Sequence, residues 1–377
     1  MTDNRDHPDK LGERLRRARG AAGLTQDQAA TAIGVARTTL VAIEKGERRL
    51  KMAELVALAE LYQVSSASLL QAERADLEMR PQFRRANHPG LSEEAVSGAI
   101  TLLERLATAT VQLDRLLGHT PSRDAPPPVR LDARRVYDQA DDAALVVRAR
   151  LGVGMAPVPH LARLLESELG FHIFTRSLGA WQISGVYGYT PQSGPCVVLN
   201  AAHPASRRQF TLGHELGHFM STRDVVDIEG GVGEDSAVAE RFANAFSASL
   251  LMPAPALRGR VAEITDQSGK FTVAGIFFMA EEFAVSREAM CRRLETLGLV
   301  RTGTWDVVRR RSPELLMSSL AFEETPFTRH GRLGLSAAQA YDRELLSEGQ
   351  LAELLVLDRV EARELLDAYL GDVDEEL

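Results

Sequence analysis

Residues 214–218 read His-Glu-Leu-Gly-His. On a helix, side chains four apart share a face, so two imidazoles at this spacing can grip one metal ion. Glu215 then lies beside the position an attacking water would take, where a general base is needed. Zinc suits such a donor set, and water activated beside zinc hydrolyses peptide bonds. Manganese and iron accept the same donors. Nine histidines in 377 residues make a chance match rare, about 0.02 per chain of this composition. Phe210, Leu212, Leu216 and Phe219 crowd apolar bulk around the two histidines, which describes a buried helix. Buried imidazoles flanking a carboxylate need something to bind.

A catalytic zinc takes three protein ligands and leaves one position for water. Glu240 is the candidate third ligand. Residues 237–251 have few helix breakers, and Pro253 stops the run. Glu240 and Asn244 are four apart, so Asn244 is placed to steady a ligand from behind. Phe242, Phe246, Leu250 and Leu251 supply core contacts. Glu234 and Asp235 stand as alternative ligands in a loop holding Gly230, Gly231 and Gly233, although such a loop fixes a ligand less well.

The stretch 197–253 resembles the ImmA/IrrE family of bacterial metallopeptidases. The likeness rests on Cys-Val-Val-Leu-Asn at 196–200, on Arg208 and Phe210-Thr211-Leu212 leading into the His-Glu-Leu-Gly-His run, on Glu-x-x-Ala-Asn-x-Phe at 240–246, and on Leu-Leu-Met-Pro at 250–253. It extends upstream through Ala144, Val147 and Arg148 to 200, and fades past Val300. Gly213 stands where the family usually has Ala. The resemblance implies a zinc site of His214, His218 and Glu240 with Glu215 as base, and a role in cleaving a repressor partner to switch genes on. Asn200, His203 and Arg208 are second-tier candidates for contacting the substrate or orienting the site. His172, in an apolar strand, reads as packed, and His160, at a helix start, as structural.

Residues 10–70 resemble a helix-turn-helix domain of the Xre/Cro type. Leu11, Leu15 and Ala18 give a first helix that Gly23 ends. Thr25 caps a second helix over 26–33, and Gly34-Val35 makes the turn. A third helix over 37–44 is the recognition helix, with Leu40 and Ile43 inward and Arg37, Thr38 and Thr39 outward near its start, where base edges are read. Gln26 is expected near a phosphate at a helix start, and Lys45 at the helix close. Ala36 replaces the usual Ser cap. Ten basic side chains face six acidic ones between 10 and 70, in a chain whose net charge is −8. A positive module in an acidic protein fits double-stranded DNA as its partner.

The elements that must position these residues give an α+β, mainly α fold. A disordered lead (1–9) precedes the five-helix DNA-binding domain (10–70). A linker helix and a Pro-rich linker follow (71–128), with Phe83-Arg84-Arg85 in the charged stretch. The helix spans 91–117 and either dimerises the chain or packs within it. A zincin-like metallopeptidase domain follows (129–300), with helices at 132–151 and 157–169 and a small sheet from 171–174, 180–186 and 197–199. A helix-turn-helix-like pair spans 271–299. A C-terminal helical appendage with an acidic tail completes the chain (301–377), with no chemistry of its own assigned. Cys196 and Cys291 make no disulfide framework. No apolar run spans a bilayer and the first residues are polar, so a cytoplasmic protein is expected. The expected function is a DNA-binding regulatory zinc metalloendopeptidase that cleaves a repressor or antitoxin-like protein in a stress response or mobile element. The alternatives are a non-proteolytic regulator that senses metal or ligand, and a repressor that cuts its own linker.

Overall fold

The computed structural model describes residues 8–48, 50–62, 80–82, 92–119, 125–223, 234–311 and 326–371. The chain divides into two compact units, 1–76 and 77–377.

The first unit contains α1 (Pro8–Ala21), α2 (Gln26–Ala32), α3 (Arg37–Glu44) and α4 (Met52–Leu61). Helix α1 begins inside the segment expected to be a disordered lead. The fifth expected helix lies outside the described residues. Thr25 caps α2 in a reciprocal box with Gln28, while Ala36 gives α3 no side-chain cap. Leu15, Ala29, Leu40, Ile43, Leu55 and Leu58 form the core, on the helical spacing that the sequence displays.

The second unit is built on a four-stranded sheet of order β1-β3-β4-β2: β1 (Arg80–Gln82), β2 (His172–Arg176), β3 (Gly185–Thr190) and β4 (Gly194–Asn200). Strands β2 and β4 run parallel, while β3 is antiparallel to β4 and to β1. Pro81 is tolerated in β1 because that strand is an edge. Alternate residues of β4 point to opposite faces. Val197 and Leu199 enter one core, Cys196 and Val198 another. Both faces are therefore covered, which is why this strand is a continuous apolar run.

On the first face lie α6 (Val136–Arg150), α7 (Leu161–Leu169), α8 (Ala205–Thr222), α9 (Glu234–Leu251), α10 (Ala254–Ser268), α11 (Val273–Glu282), α12 (Arg287–Thr296) and α13 (Thr304–Arg311). The other face is covered by α5 (Glu93–Leu117), α14 (Pro326–Asp342), α15 (Glu348–Leu355) and α16 (Arg359–Leu370). The expected linker helix and C-terminal appendage are thus one layer, packed against the sheet within the chain. Leu103 and Leu106 of α5 meet Val186 and Val198 of the sheet and Leu333 and Leu365 of the C-terminal helices in that core.

Three further expectations change. The Pro-rich segment does not divide the two units, because its flanks both belong to the second one; Pro126 is buried, and Val129 donates to the Met220 carbonyl at 2.7 Å. Residues 180–184 form a loop, since Asn200 bonds their carbonyls away from any strand ladder. Glu234 opens α9 and does not belong to a Gly-rich loop. Phe83-Arg84-Arg85 lies outside the described residues.

Candidate metal centre and its neighbours

Helices α8 and α9 pack along a seam of small residues. A Cβ on Gly217 would stand 2.8 Å from the Ala243 Cα, and one on Gly213 would stand 2.6 Å from Ser247 Oγ. Ser247 fills the room that an alanine at 213 would need, and its hydroxyl donates to the Phe210 carbonyl at 2.8 Å. The departure from the family at Gly213 is thereby matched by its neighbour. At Gly217 the obstacle is backbone, so this glycine sets how closely the helix carrying Glu240 approaches the one carrying the histidines.

His214, His218 and Glu240 do meet. The two Nε2 atoms are 3.0 Å apart, and the Glu240 carboxylate oxygens lie 3.6 Å from His214 Nε2 and 3.3 Å from His218 Nε2. Ligands about 2.1 Å from a tetrahedral zinc are separated by about 3.4 Å. One atom from each residue lies within 4.8 Å of the others, close to the spacing such an ion needs, and two nitrogens with a carboxylate are a fitting donor set. Asn244, one turn beyond Glu240, places its Oδ1 3.1 Å from His214 Nδ1. An oxygen can only accept, so Nδ1 carries the proton and Nε2 keeps its lone pair for a metal. Glu215 is half-buried. Its charge reaches Tyr187, whose phenol is pushed well above its ordinary value, first by burial and then by neighbours that include Glu215.

Helix α9 is held at its far end by buried cations. Arg148 donates to the carbonyls of Gly154 at 2.6 Å, Leu250 and Ala156. Burial lowers its pKa to about 10, which still leaves it charged at neutral pH. Arg293 donates to Asp141 Oδ1 and Ser249 Oγ, both at 3.1 Å, and to the Met252 carbonyl at 3.2 Å. Neither role was apparent in the sequence, although Arg148 belongs to the family-like run at 144–148.

Asn200, His203 and Arg208 are brought together, but on a different task. Asn200 Nδ2 donates to the carbonyls of Ala180 and Ile183 at 3.0 and 2.7 Å, and its Oδ1 accepts from Ala202 N at 3.0 Å. His203 Nε2 lies 2.7 Å from the Trp181 carbonyl, and burial lowers its pKa. Arg208 donates to the His203 carbonyl at 2.6 Å. Asn200 and His203 are each 1% exposed, so the three residues anchor the loop that presents Trp181. Asn200 and His203 are thus buried, while Arg208 is half-buried and braces the loop through the His203 carbonyl. His172 is buried and its pKa falls to about 4 by desolvation, in keeping with a packed neutral residue.

In the first unit, Arg37, Thr38 and Lys45 are exposed and Thr39 is half-buried. Gln26, Arg37 and Lys45 line one cleft with Arg16. Gln26 opens α2, and its amide donates to Glu44 Oε2 at 2.8 Å. Glu44 also accepts from Arg19 Nε at 2.7 Å, so the carboxylate satisfies both donors.

Among the described residues no helix is long and apolar enough to cross a membrane. No curated protein and no solved structure matches the chain. Two protein-family models do, that of the IrrE N-terminal-like domain of peptidase M78 over 166–295 and that of a helix-turn-helix domain over 10–77. The chain joins an N-terminal helix-turn-helix domain to a peptidase domain of the ImmA/IrrE type.

Proposed function

We propose that the protein is a zinc metalloendopeptidase and transcription regulator. In this reading His214, His218 and Glu240 are the metal ligands and Glu215 is the general base. The observation that carries it is the convergence of two imidazole nitrogens and one carboxylate beside Glu215, inside a domain of a peptidase family. A bound zinc ion would acidify water and polarise a peptide carbonyl. Glu215 accepts the proton of the attacking water and delivers it to the leaving amine. Asn244 holds His214 in the ligating tautomer. The substrate is a repressor or antitoxin-like protein.

The helix-turn-helix domain brings the peptidase to DNA. Helix α3 enters the major groove, with Arg37, Thr38 and Thr39 near the base edges and Lys45 on the phosphates. Gln26 takes part through the Glu44 network, which fixes α3 against α1. Self-cleavage within 118–128 is disfavoured, since a cut there would fall inside the second unit and would not release the DNA-binding one.

The test compares cells expressing wild type with cells expressing Glu215→Ala, mapping new protein N-termini across the proteome. A terminus unique to the wild type names the substrate. Its absence, with zinc retained by both proteins, would overturn the peptidase reading in favour of a non-proteolytic regulator.

A further inference from the structure

A cavity of about 860 Å³ adjoins the metal centre. One wall comes from the same two helices that carry the candidate ligands, and most of the rest from residues between 280 and 305. Phe210 lies one turn before His214 on α8, and Asn244 lies one turn after Glu240 on α9. The floor includes Ala245, Ala248, Met252 and Trp305. At the mouth, Trp181 is 54% and Tyr137 62% exposed. This aromatic ledge is open to solvent and extends the apolar surface beyond the cavity.

The rim is positively charged. Five arginines line the cavity against two glutamates. Glu281 pairs with Arg287, Glu288 with Arg292, and Arg293 with Asp141. Arg207 and Arg241 make no ion pair with the described residues, and both are exposed. Arg207 lies 5.6 Å above the Trp181 ring, which holds one charge at the edge of the apolar ledge.

We propose that this cavity seats the polypeptide substrate, taking a bulky apolar side chain beside the scissile bond while Arg207 and Arg241 hold a neighbouring acidic side chain. The cavity exceeds the volume of any one side chain, so it also accommodates part of the flanking chain. A polypeptide suits it better than a free small molecule, because the lining includes both the solvent-exposed rings of Trp181 and Tyr137 and Asn244, which bonds the candidate ligand His214. The assignment rests on the peptidase reading for the position of the scissile bond, but the seat can be tested without turnover.

The experiment uses the full chain carrying Glu215→Ala, loaded with zinc, and short fluorescein-labelled peptides read by anisotropy. One peptide contains a Leu-Glu pair, a second Ala-Glu and a third Leu-Lys; decanoate is the small-molecule competitor. In parallel, wild-type protein is given a mixed peptide library and the cuts are read by mass spectrometry. The Leu-Glu peptide is expected to bind at least about tenfold more tightly than the other two, with library cuts enriched beside bulky apolar residues. Ala248→Trp, which fills the cavity, should remove the preference for Leu over Ala, and so should Trp181→Ala at an exposed position that leaves the core untouched. Exchanging Arg207 and Arg241 for Glu should reverse the preference between Glu and Lys. Equal binding of the three peptides, or a preference that survives both pocket variants, overturns the proposal. So does decanoate binding that Ala248→Trp abolishes while peptide binding persists. Selective binding without any cleavage would leave the seat standing and refute the peptidase; cleavage without selectivity would do the converse.

Discussion

The Asn244 side-chain oxygen lies 3.1 Å from His214 Nδ1, one turn beyond Glu240 on the same helix. A single helix thus supplies one candidate ligand and the group that sets the tautomer of another. Replacing Asn244 with Leu removes the acceptor while keeping most of the volume. Zinc affinity should fall about 10- to 100-fold, measured by competition with a chromophoric chelator. Asn244→Asp should retain much of the affinity, because a carboxylate also accepts from Nδ1. Unchanged affinity in the Leu variant would show that the hydrogen bond does not tune the site.

Gly217 meets the Ala243 backbone across the seam, where an added Cβ would stand at 2.8 Å. Backbone cannot swing aside as a long side chain can, so Gly217→Ala must push α9 away from α8. The expected cost is about 1–3 kcal/mol of stability, read by denaturant unfolding of the apo protein. Zinc affinity should fall as well, since Glu240 moves with α9. At Gly213 the obstacle is Ser247 Oγ at 2.6 Å. The double variant Gly213→Ala with Ser247→Ala should therefore be better tolerated than Gly213→Ala alone.

The seam shows what was legible in the sequence and what was not. His214, Glu215 and His218 could be picked out because ligand spacing on a helix is a local property, whereas Glu240, on another helix, was singled out by its own helical run and by the family resemblance. The caps at Thr25, Ser286, Ser347 and Asp358 are local too, and α2, α12, α15 and α16 start where those residues stand. Partners distant in sequence were harder. The apolar stripe of α5 signalled burial without naming what it meets, and only the assembled sheet identifies its partners as Val186, Val198 and the C-terminal helices. Residues 180–184 look strand-like until Asn200, far along the chain, takes their carbonyls. Strand β1, with a Pro between Arg80 and Gln82, carries no apolar alternation at all. The cavity draws its wall from separate segments, so no single window of sequence contains it.

Arg148 is 1% exposed and reaches carbonyls in the 151–157 turn and at the end of α9. Three carbonyl acceptors, that of Leu250 in a buried bond, depend on one side chain. Arg148→Met keeps the stem and leaves those carbonyls without their donor. Loss of about 3 kcal/mol or more is expected, together with raised hydrogen exchange at the C-terminal end of α9. Arg148→Lys supplies a single point charge in place of a planar fork and should recover only part of the loss.

In the first unit, Glu44 is 7% exposed and accepts from Arg19 and Gln26. Glu44→Ala would strand the guanidinium of Arg19, which is itself largely buried. Removing one partner of a buried pair costs about 3–5 kcal/mol. The DNA-binding unit should unfold at a lower temperature while the second unit melts as before. Operator affinity, read by anisotropy, should fall through the loss of α3's position, although Glu44 itself faces no base. A variant that keeps full affinity and stability would show that the pair is dispensable.

Glu166 is the titratable group on which a pH dependence can be read most directly. Its Oε1 accepts from Arg332 N at 3.3 Å and Ile173 N at 3.4 Å, joining α7 to β2 and α14. Close by, α14 breaks its helical path at Gly331 (φ 49°), where a Cβ would stand 2.6 Å from the carboxylate. Burial raises the Glu166 pKa from 4.5 to about 7, against the opposing pull of the two backbone donors and of Arg332 and Arg163. Tyr369 of α16 also feels the carboxylate, and its hydroxyl donates to the Gly331 carbonyl at 3.0 Å. The folded chain holds this proton more tightly than the unfolded one. The contribution to stability is therefore complete below pH 4.5 and is lost as pH rises through about 7, amounting to at most about 3 kcal/mol. His172 works in the opposite sense, since its pKa is lowered from 6.5 to about 4 and its contribution is lost as pH falls between those values. Comparing wild type with Glu166→Gln cancels His172 and isolates the carboxyl. Gln keeps an oxygen for the two backbone donors and carries no charge to bury. The variant should be the more stable protein at pH 8, with the advantage shrinking towards zero at pH 5, measured by urea unfolding at both values. An advantage that does not change with pH would mean that Glu166 is not the group responsible.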